Sequence, residues 1–504
     1  MKFLDTFLDR ITMYKLVFYG LIGLLLTAGI FGAFGILPYS PFAILYSTAV
    51  LIIVGIITNI IFAYVFEAPT NTESTYITTL ILALIITPFR NIHDLPMLGW
   101  AALLAISSKY ILAINKKHVF NPVAIAVVLT AFWLNDSASW WVGTSVMAPF
   151  VVVFGLLIVR KIQREDMVFT FFAAALITEG FFTITRGGDP FAMLKNVSLH
   201  SSLFFFAFLM LTEPLTTPPT KGLRLFYAGL VGFLFPPSMH LGSVYSTPEL
   251  ALVIGNIFSY LVSPKQKLIL YLREKLQYGT DVMHFIFTPK EPLKYVPGQY
   301  MEWTLPHEKV DFRGNRRYFT LASSPTEPEI HLGVKFYPSG SSFKKALYGL
   351  GNKTPFVAAS LAGDFTLPKK MDAKLVFIAG GIGITPFRSM IKYCVDMHQS
   401  RAITLFYANK KASEIAYTDV FTEAEKIGIK TIYTLTDKES VPSNWTGEIG
   451  RITPEMIKKY VPDFLDRTFY LSGPHNMVEG FEEVLKTMNI AQSRIKKDFF
   501  PGFV

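Results

Sequence analysis

Residues 375–390, with the sequence LVFIAGGIGITPFRSM, place the strongest local constraint on the fold of this chain. Their four leading apolar residues are typical of a buried parallel strand, and Pro386 suits the first turn of a helix that follows. Glycines between a strand and a helix permit a tight turn and a close backbone approach to a ligand. Because the first N–H groups of a helix are free, they can bind a phosphate. An ordinary strand-to-helix turn stays open as the alternative for a glycine cluster considered alone.

The composition indicates a membrane protein of more than one domain. A chain of 504 residues is typical of roughly two or three domains. Hydrophobic residues make up 51% of it and its mean hydropathy is +0.39, which favours several membrane spans. We attribute the net charge of +10 to basic residues beside the spans and not to a nucleic-acid partner. The single cysteine, Cys394, excludes an internal disulfide and a four-cysteine iron–sulfur cluster.

Residues 1–264 are predicted to form an α-helical polytopic membrane domain with about ten spans. The apolar runs of residues 16–37 and 41–66 are each long enough to cross a bilayer. Most lysines and arginines of this region fall in the loops predicted to be cytoplasmic, which indicates a multi-pass protein of the cell (inner) membrane with a cytoplasmic C-terminal part. The further candidate spans begin near Thr75, Pro96, Pro122, Trp140, Met167, Val197, Gly222 and Pro248.

Two polar features stand out in this apolar region. Lys109 lies inside the apolar run of residues 103–114, where a lysine is costly unless it pairs or faces water. Snorkelling of its side chain to the inner interface is the alternative. Residues 212–222 are rich in proline and threonine, which predicts an irregular polar backbone at the end of a span. Such a backbone suits a bound cofactor, and a plain loop is the alternative.

Residues 109–128, 208–222 and 248–256 resemble the RnfD/NqrB family, the membrane subunits of the Rnf and Na+-translocating NADH:quinone reductase complexes. The resemblance implies about ten spans and a flavin in the membrane domain. The family attaches FMN covalently to a threonine of an S-G-A-T motif, and this motif does not occur in the chain. We therefore expect a second, non-covalent flavin (FMN or riboflavin), with Lys109, Asn121, Thr212 and Thr216 as its candidate contacts.

Residues 265–504 are predicted to form a two-domain cytoplasmic reductase. In residues 265–370, short runs that alternate apolar and polar side chains indicate an antiparallel β-barrel. In residues 371–504, strand-like runs alternate with helix-like runs, which indicates an α/β domain with a parallel sheet. Ligands bind such sheets at the carboxyl ends of the strands.

This half resembles the ferredoxin-NADP+ reductase superfamily, which implies an FAD-binding domain followed by an NAD(P)-binding domain. Pro297-Gly298-Gln299-Tyr300 matches the family's PGQY strand, and Arg317-Tyr318-Phe319-Thr320 matches R-x-[YF]-[ST]. The resemblance assigns Arg317 to the FAD pyrophosphate, Phe319 to stacking on the isoalloxazine ring and Thr320 to the flavin N5. Val334-Lys335 and residues 339–342 suit a pyrophosphate cradle.

The nucleotide motifs follow in the order that the superfamily has. Residues 380–386 match G-G-x-G-x-T-P, and residues 472–477 match C-G-P-x-x-M with Ser472 in place of the cysteine that approaches the nicotinamide. The terminal FFPGF resembles an aromatic run that covers a flavin face. Asn409-Lys410-Lys411 leaves the choice of NADH or NADPH open. The residues expected to bind FAD or the nucleotide are Arg317, Tyr318, Phe319, Thr320, Val334, Lys335, Gly340, Ser341, Ser342, Gly380, Gly381, Gly383, Thr385, Pro386, Gly473, Pro474, Met477 and Phe500, with Thr320 and Ser472 as the catalytic pair.

Together these patterns predict a membrane flavoprotein oxidoreductase. We expect electrons to pass from cytoplasmic NAD(P)H through FAD to the membrane-domain flavin, and on to a quinone or a flavin-carrying protein in the membrane or outside it. A redox-driven Na+ or H+ translocating subunit of an Rnf/Nqr-like complex is the main alternative, and a non-catalytic nucleotide sensor is another. A haem-type ferric reductase would need paired histidines inside spans, which the sequence does not offer. No metal site is expected.

Overall fold

The computed structural model describes residue 8 and residues 11–66, 72–114, 117–264, 268–308, 310–311, 314–338, 340–352 and 354–498. The chain divides into two units, Met1–Lys265 and Gln266–Phe500, and each is described by itself below.

The first unit consists of helices formed by the apolar runs. Several begin with a proline in the first turn, preceded by a side chain that caps the free N–H groups, as Ser40, Asn121 and Thr247 do. The helices are α1 (Met13–Ala33), α2 (Pro41–Val65), α3 (Thr72–Ile85), α4 (Leu95–Ile111), α5 (Pro122–Leu134), α6 (Ala148–Ile162), α7 (Glu165–Thr185), α8 (Pro190–Leu199), α9 (Leu203–Met210), α10 (Lys221–Leu234) and α11 (Pro248–Val262). The last five residues of α9, Phe206–Met210, form a π-helical turn.

The predicted number of spans is not confirmed. Among the described residues, α1, α2 and α7 are long and apolar enough to cross a membrane, and α8 with α9, bent by 60°, would make a fourth. Helices such as α5, with 13 residues, are shorter than the 20 or so that a bilayer requires. The span expected near Trp140 begins only at Ala148. The segment before Ala148 is instead hydrogen-bonded to the carboxyl end of α3. There the Trp140 N–H donates to the Ile85 carbonyl over 2.8 Å.

The first sheet of the second unit confirms the predicted antiparallel architecture. Its six strands pair in the order β4–β3–β6–β1–β2–β5. The described strands at the two edges, β4 and β5, do not form a ladder with each other. A hydrogen bond of 2.9 Å from the Ala322 N–H to the His331 carbonyl links the segment after β4 to β5. The elements are β1 (Leu268–Tyr278), β2 (Val282–Pro289), β3 (Tyr300–Thr304), β4 (Arg316–Thr320), β5 (Ile330–Lys335), α12 (Ser342–Tyr348) and β6 (Phe356–Ala362).

The second sheet of this unit is parallel, as predicted, and its strand order reverses in the middle. The six strands pair in the order β10–β9–β8–β7–β11–β12. The chain moves outward from β7 to β10 and then returns to the other side of β7, so a crevice opens at the carboxyl ends of β7 and β11. The elements are β7 (Leu375–Gly380), α13 (Thr385–Asp396), β8 (Ile403–Asn409), α14 (Thr418–Glu425), β9 (Lys430–Leu435), β10 (Glu448–Ile449), α15 (Pro454–Tyr460), β11 (Thr468–Ser472), α16 (His475–Thr487) and β12 (Ile495–Lys497).

Candidate active site

The loop between β7 and α13 lies at this crevice and contacts the loop after β11. A Cβ atom on Gly383 would lie 2.4 Å from the Ser472 carbonyl oxygen and 2.5 Å from the Gly473 nitrogen. A Cβ atom on Gly380 would lie 2.3 Å from the Met477 sulfur. Because a Cβ atom on Gly383 would meet backbone atoms, no side chain larger than hydrogen fits there, and the two loops approach backbone to backbone. At Gly380 the nearest atoms belong to the end of the Met477 side chain. The predicted residues that these loops bring together are Gly380, Gly381, Gly383, Thr385, Pro386, Gly473, Pro474 and Met477.

A short 3-10 turn, Gly381–Ile384, runs directly into α13 at the same place, and the Thr385 N–H donates to the Ile382 carbonyl. Thr385 is the first residue of α13 and Pro386 lies in its first turn. The Thr385 hydroxyl donates to the Ile382 carbonyl over 3.2 Å, which fixes the short turn that precedes the helix. Gly381 adopts φ +52°, a left-handed conformation that glycine reaches without strain. This arrangement can bind a phosphate group.

Ser472, the predicted catalytic serine, is buried and bonded to a carboxylate that sequence analysis did not single out. Its hydroxyl donates to Oδ2 of Asp498 over 2.9 Å. The Asp498 N–H in turn donates to the Leu471 carbonyl over 2.9 Å, which holds the residue beside β11. Burial raises the pKa of Asp498 to about 7. In the sequence, the only indication of a role for Asp498 was its position immediately before the terminal aromatic run.

Strand β4 carries the four residues of the predicted flavin motif. Arg317 and Phe319 lie on one face, where the Arg317 guanidinium is 5.2 Å from the centre of the Phe343 ring and the Phe319 ring is 6.0 Å from it. The Tyr318 hydroxyl donates to Glu302 over 2.8 Å. Thr320 is buried, and its hydroxyl has no hydrogen-bond partner among the residues that the structure describes. A buried hydroxyl left in this state is costly, so a ligand atom at this position fits the site.

The predicted pyrophosphate cradle is already engaged by protein groups. The Val334 side chain belongs to the hydrophobic core, and Lys335 forms ion pairs with Glu414 at 2.9 Å and Asp281 at 3.1 Å. Ser341 caps α12, and the Ser342 N–H donates to Asp311 over 2.8 Å. Gly340 lies in the turn before them, with its N–H bonded to the Tyr337 carbonyl. Phe500 lies outside the described residues.

In the first unit, a hydrogen-bonded network links residues from distant parts of the chain. The Asn121 amide donates to Glu213 over 2.9 Å, and the Thr216 hydroxyl donates to the same carboxylate oxygen over 3.0 Å. Asn256 accepts from the Asn121 N–H over 2.7 Å and donates to the Tyr227 hydroxyl over 3.2 Å. We call Asn121, Glu213, Thr216, Tyr227 and Asn256 the polar network.

The other two predicted membrane contacts bond elsewhere. The Lys109 ammonium donates to the Thr78 hydroxyl over 2.7 Å and to the Ser74 hydroxyl and carbonyl over 2.9 Å. It is therefore satisfied by α3 and does not depend on snorkelling. The Thr212 hydroxyl donates to the Phe208 carbonyl of the π-helical turn over 2.7 Å.

Comparison with known proteins identifies the nucleotide-binding part. Residues 377–483 match the family model of the oxidoreductase NAD-binding domain. The flavohemoprotein of Oceanobacillus iheyensis is 27% identical over 242 residues, which are 45% of this chain and 57% of that protein. The glycine betaine monooxygenase reductase subunit of Chromohalobacter salexigens is 24% identical over 232 residues, which are 45% of this chain and 62% of that protein. The chain thus spans about three fifths of the length of these curated relatives.

Solved structures give matches of similar extent. The FAD/NAD-binding domain of a nitric oxide dioxygenase from Vibrio cholerae is 21% identical, with a TM-score of 0.41, and the match covers 46% of this chain and 98% of that domain. The cytochrome b5 reductase domain of Ulva prolifera nitrate reductase is 21% identical, with a TM-score of 0.40, over 47% of this chain and 98% of that domain.

The family match contains both glycine loops of the crevice and most of the second sheet. Residues 377–483 are therefore similar to the oxidoreductase NAD-binding domain, which agrees with the sequence prediction of an oxidoreductase.

Proposed function

We propose that this chain is a membrane flavoprotein that takes electrons from cytoplasmic NAD(P)H, passes them through FAD into the membrane unit, and delivers them to an acceptor in the membrane or outside it. The observation that carries the proposal is the backbone contact of the two glycine loops where the strand order reverses. Dinucleotides commonly bind where the strand order of such a sheet reverses. The curated relatives, which include reductase subunits, support the same kind of electron delivery.

In the second unit, separate groups of residues would bind the nucleotide and FAD. The N–H groups of the glycine turn before α13 would hold the nucleotide pyrophosphate, and Ser472 would line the nicotinamide pocket with its hydroxyl oriented by Asp498. The unpartnered Thr320 hydroxyl and the Arg317 guanidinium would hold FAD. FAD, when bound, accepts a hydride and releases electrons singly.

The membrane part of the proposal depends on the polar network. Asn121, Glu213 and Thr216 place amide, carboxylate and hydroxyl groups inside an otherwise apolar unit, at the start of a helix too short to span a bilayer. Polar groups held in such surroundings commonly serve a function. We propose that a non-covalent flavin (FMN or riboflavin) binds beside this network and passes electrons to a quinone or a flavin-carrying protein.

The test is the cofactor content and reducibility of the detergent-purified full chain. Acid precipitation should release FAD and a second flavin, and NADH or NADPH added without oxygen should bleach the flavin absorption. Release of FAD alone would overturn the membrane flavin, and a Soret band would instead support a haem protein. A failure of both nucleotides to bleach bound FAD would overturn the reductase function. Sodium-dependent NADH oxidation in vesicles would favour the ion-translocating alternative.

A further inference from the structure

The helix that follows the nucleotide loop is tied to the antiparallel sheet by a buried ion pair. Arg388 of α13 contacts Glu327 through two parallel bonds, with Nη1 against Oε2 and with Nη2 donating to Oε1 over 2.7 Å. Nη1 also donates to the Ala322 carbonyl over 3.1 Å. The side chains of Arg388 and Glu327 are only 7% and 14% exposed. A two-pronged pair of this kind fixes orientation as well as distance, because both groups are planar.

The next residue of α13 makes a second tie to the same segment. The Ser389 hydroxyl donates to the Ser323 carbonyl over 2.5 Å. Ser323 is itself held, since the Tyr295 hydroxyl donates to its carbonyl over 2.8 Å and its hydroxyl accepts from the His331 N–H over 3.1 Å. The segment that is hydrogen-bonded to α13 therefore begins at Ala322, two residues after Thr320.

The outward face of strand β5 also contacts the parallel-sheet domain. His331, Gly333 and Lys335 alternate with the core residues of the strand. A Cβ atom on Gly333 would lie 2.7 Å from the Thr385 methyl carbon and 2.6 Å from the Tyr417 hydroxyl. Lys335 pairs with Glu414 across the same boundary. Strand β5 is thus in contact with the first residue of α13 and with the segment before α14.

We propose that the Arg388–Glu327 pair is a positioning device that sets the separation between the flavin and the nicotinamide, so that the rate of hydride transfer depends on its two-pronged geometry. The inference rests on the proposed function. Arg388 lies one helical turn after Thr385, so a tilt of α13 moves the nucleotide loop directly. Hydride transfer is sensitive to such movements, because a displacement of about 1 Å can reduce a rate by about 100-fold.

The experiment measures flavin reduction by NAD(P)H in anaerobic stopped flow, with the full chain in detergent. Arg388→Lys keeps the positive charge but cannot make the two parallel hydrogen bonds to Glu327. We expect the limiting rate constant of flavin reduction to fall about 10- to 100-fold. The half-saturating nucleotide concentration should change by less than about 3-fold, since the loop still offers its N–H groups. The kinetic isotope effect with nucleotide deuterated at the transferred position should increase, and the FAD content should stay unchanged.

Two further variants keep the test decisive. Glu327→Asp shortens the carboxylate by one methylene and should give the same kinetic pattern, even if Arg388→Lys folds poorly. The exchange Arg388→Glu with Glu327→Arg should recover at least about a tenth of the wild-type rate, because the pair is re-formed with its direction reversed. Lys374→Met is the matched control, since it removes an ion pair with Asp463 that lies within the parallel-sheet domain.

A purely structural role would give a different result. The melting temperature would fall in Arg388→Lys and Glu327→Asp while the limiting rate and the isotope effect stayed at wild-type values, and this outcome would overturn the inference. Absence of bleaching in the wild-type protein with FAD bound would instead overturn the proposed function, so the two failures are distinguishable.

Discussion

The hydroxyl of Ser472 donates a hydrogen bond of 2.9 Å to Oδ2 of Asp498, and this couples the residue proposed to line the nicotinamide pocket to a buried titratable group. The pair joins the end of β11 to the residue after β12, two neighbouring parallel strands. Any change in the charge of Asp498 is therefore transmitted to the crevice through one hydrogen bond.

Reduction by NAD(P)H should accelerate as the pH rises through about 7. Burial raises the pKa of Asp498 to about 7, so the carboxyl is protonated below this pH and charged above it. A negative charge beside the nicotinamide favours the positive charge that develops as the hydride leaves. The pH profile of the limiting rate should show an inflection near 7 that Asp498→Asn abolishes. An unchanged inflection in that variant would assign it to another group.

Replacing Gly383 by alanine should impair nucleotide use severely. The new methyl group would lie 2.4 Å from the Ser472 carbonyl, so the two loops must separate. We expect the kcat/KM for NAD(P)H to fall by about 100-fold. Gly480→Ala is the control, because nothing lies within 4 Å of the added atom and activity should be retained. A wild-type kcat/KM in Gly383→Ala would show that the loop contact is dispensable.

The second unit should lose stability when the pH falls below about 6.5. Burial, aided by the positive charge of Arg388, lowers the pKa of His284 and His331 to about 3. The folded state then binds fewer protons than the unfolded state between about pH 3 and 6.5, so each group reduces the free energy of unfolding on acidification by up to about 1.4 kcal/mol per pH unit.

Calorimetry of the full chain between about pH 4.5 and 7 should show this slope, and it should be shallower in His331→Gln. His398→Asn changes an exposed histidine and should leave the slope unchanged. Equal slopes in His331→Gln and in the wild type would mean that this histidine does not remain neutral in the folded protein.

Removing Asn121 should destabilise the first unit. Its amide oxygen accepts from the N–H groups of Val123 and Ala124, and its amide nitrogen binds Glu213. Asn121→Ala leaves buried polar groups unsatisfied, which costs about 1–3 kcal/mol. The melting temperature of the detergent-solubilised chain should fall, whereas Asn196→Ala, at an exposed position, should leave it unchanged. Equal melting temperatures would contradict a structural role for the polar network.

The sequence indicated the two glycine loops because their turn geometry is encoded locally. Gly380, Gly383 and Pro386 act through turn geometry within a few residues of chain, and the structure places them together at the crevice. The alternation of strands and helices likewise indicated the parallel sheet, since that pattern repeats over short windows.

Features that depend on distant contacts were harder to predict. Glu213 and Asn256 lie 92 and 135 residues from Asn121, respectively. No local sequence pattern could therefore predict the polar network. The Lys335 ammonium group binds Glu414, which lies 79 residues away, and the sequence did not indicate this contact. Asp498 acquires its raised pKa only through burial beside β11.

The missing side chain at Gly333 has a consequence for protein engineering. Because β5 meets the nucleotide loop through a backbone hydrogen, a methyl group introduced there would act as a wedge of fixed thickness between the two halves of the site. Residues of graded size at position 333 thus offer a molecular spacer, with which the distance between β5 and the start of α13 can be widened in small steps.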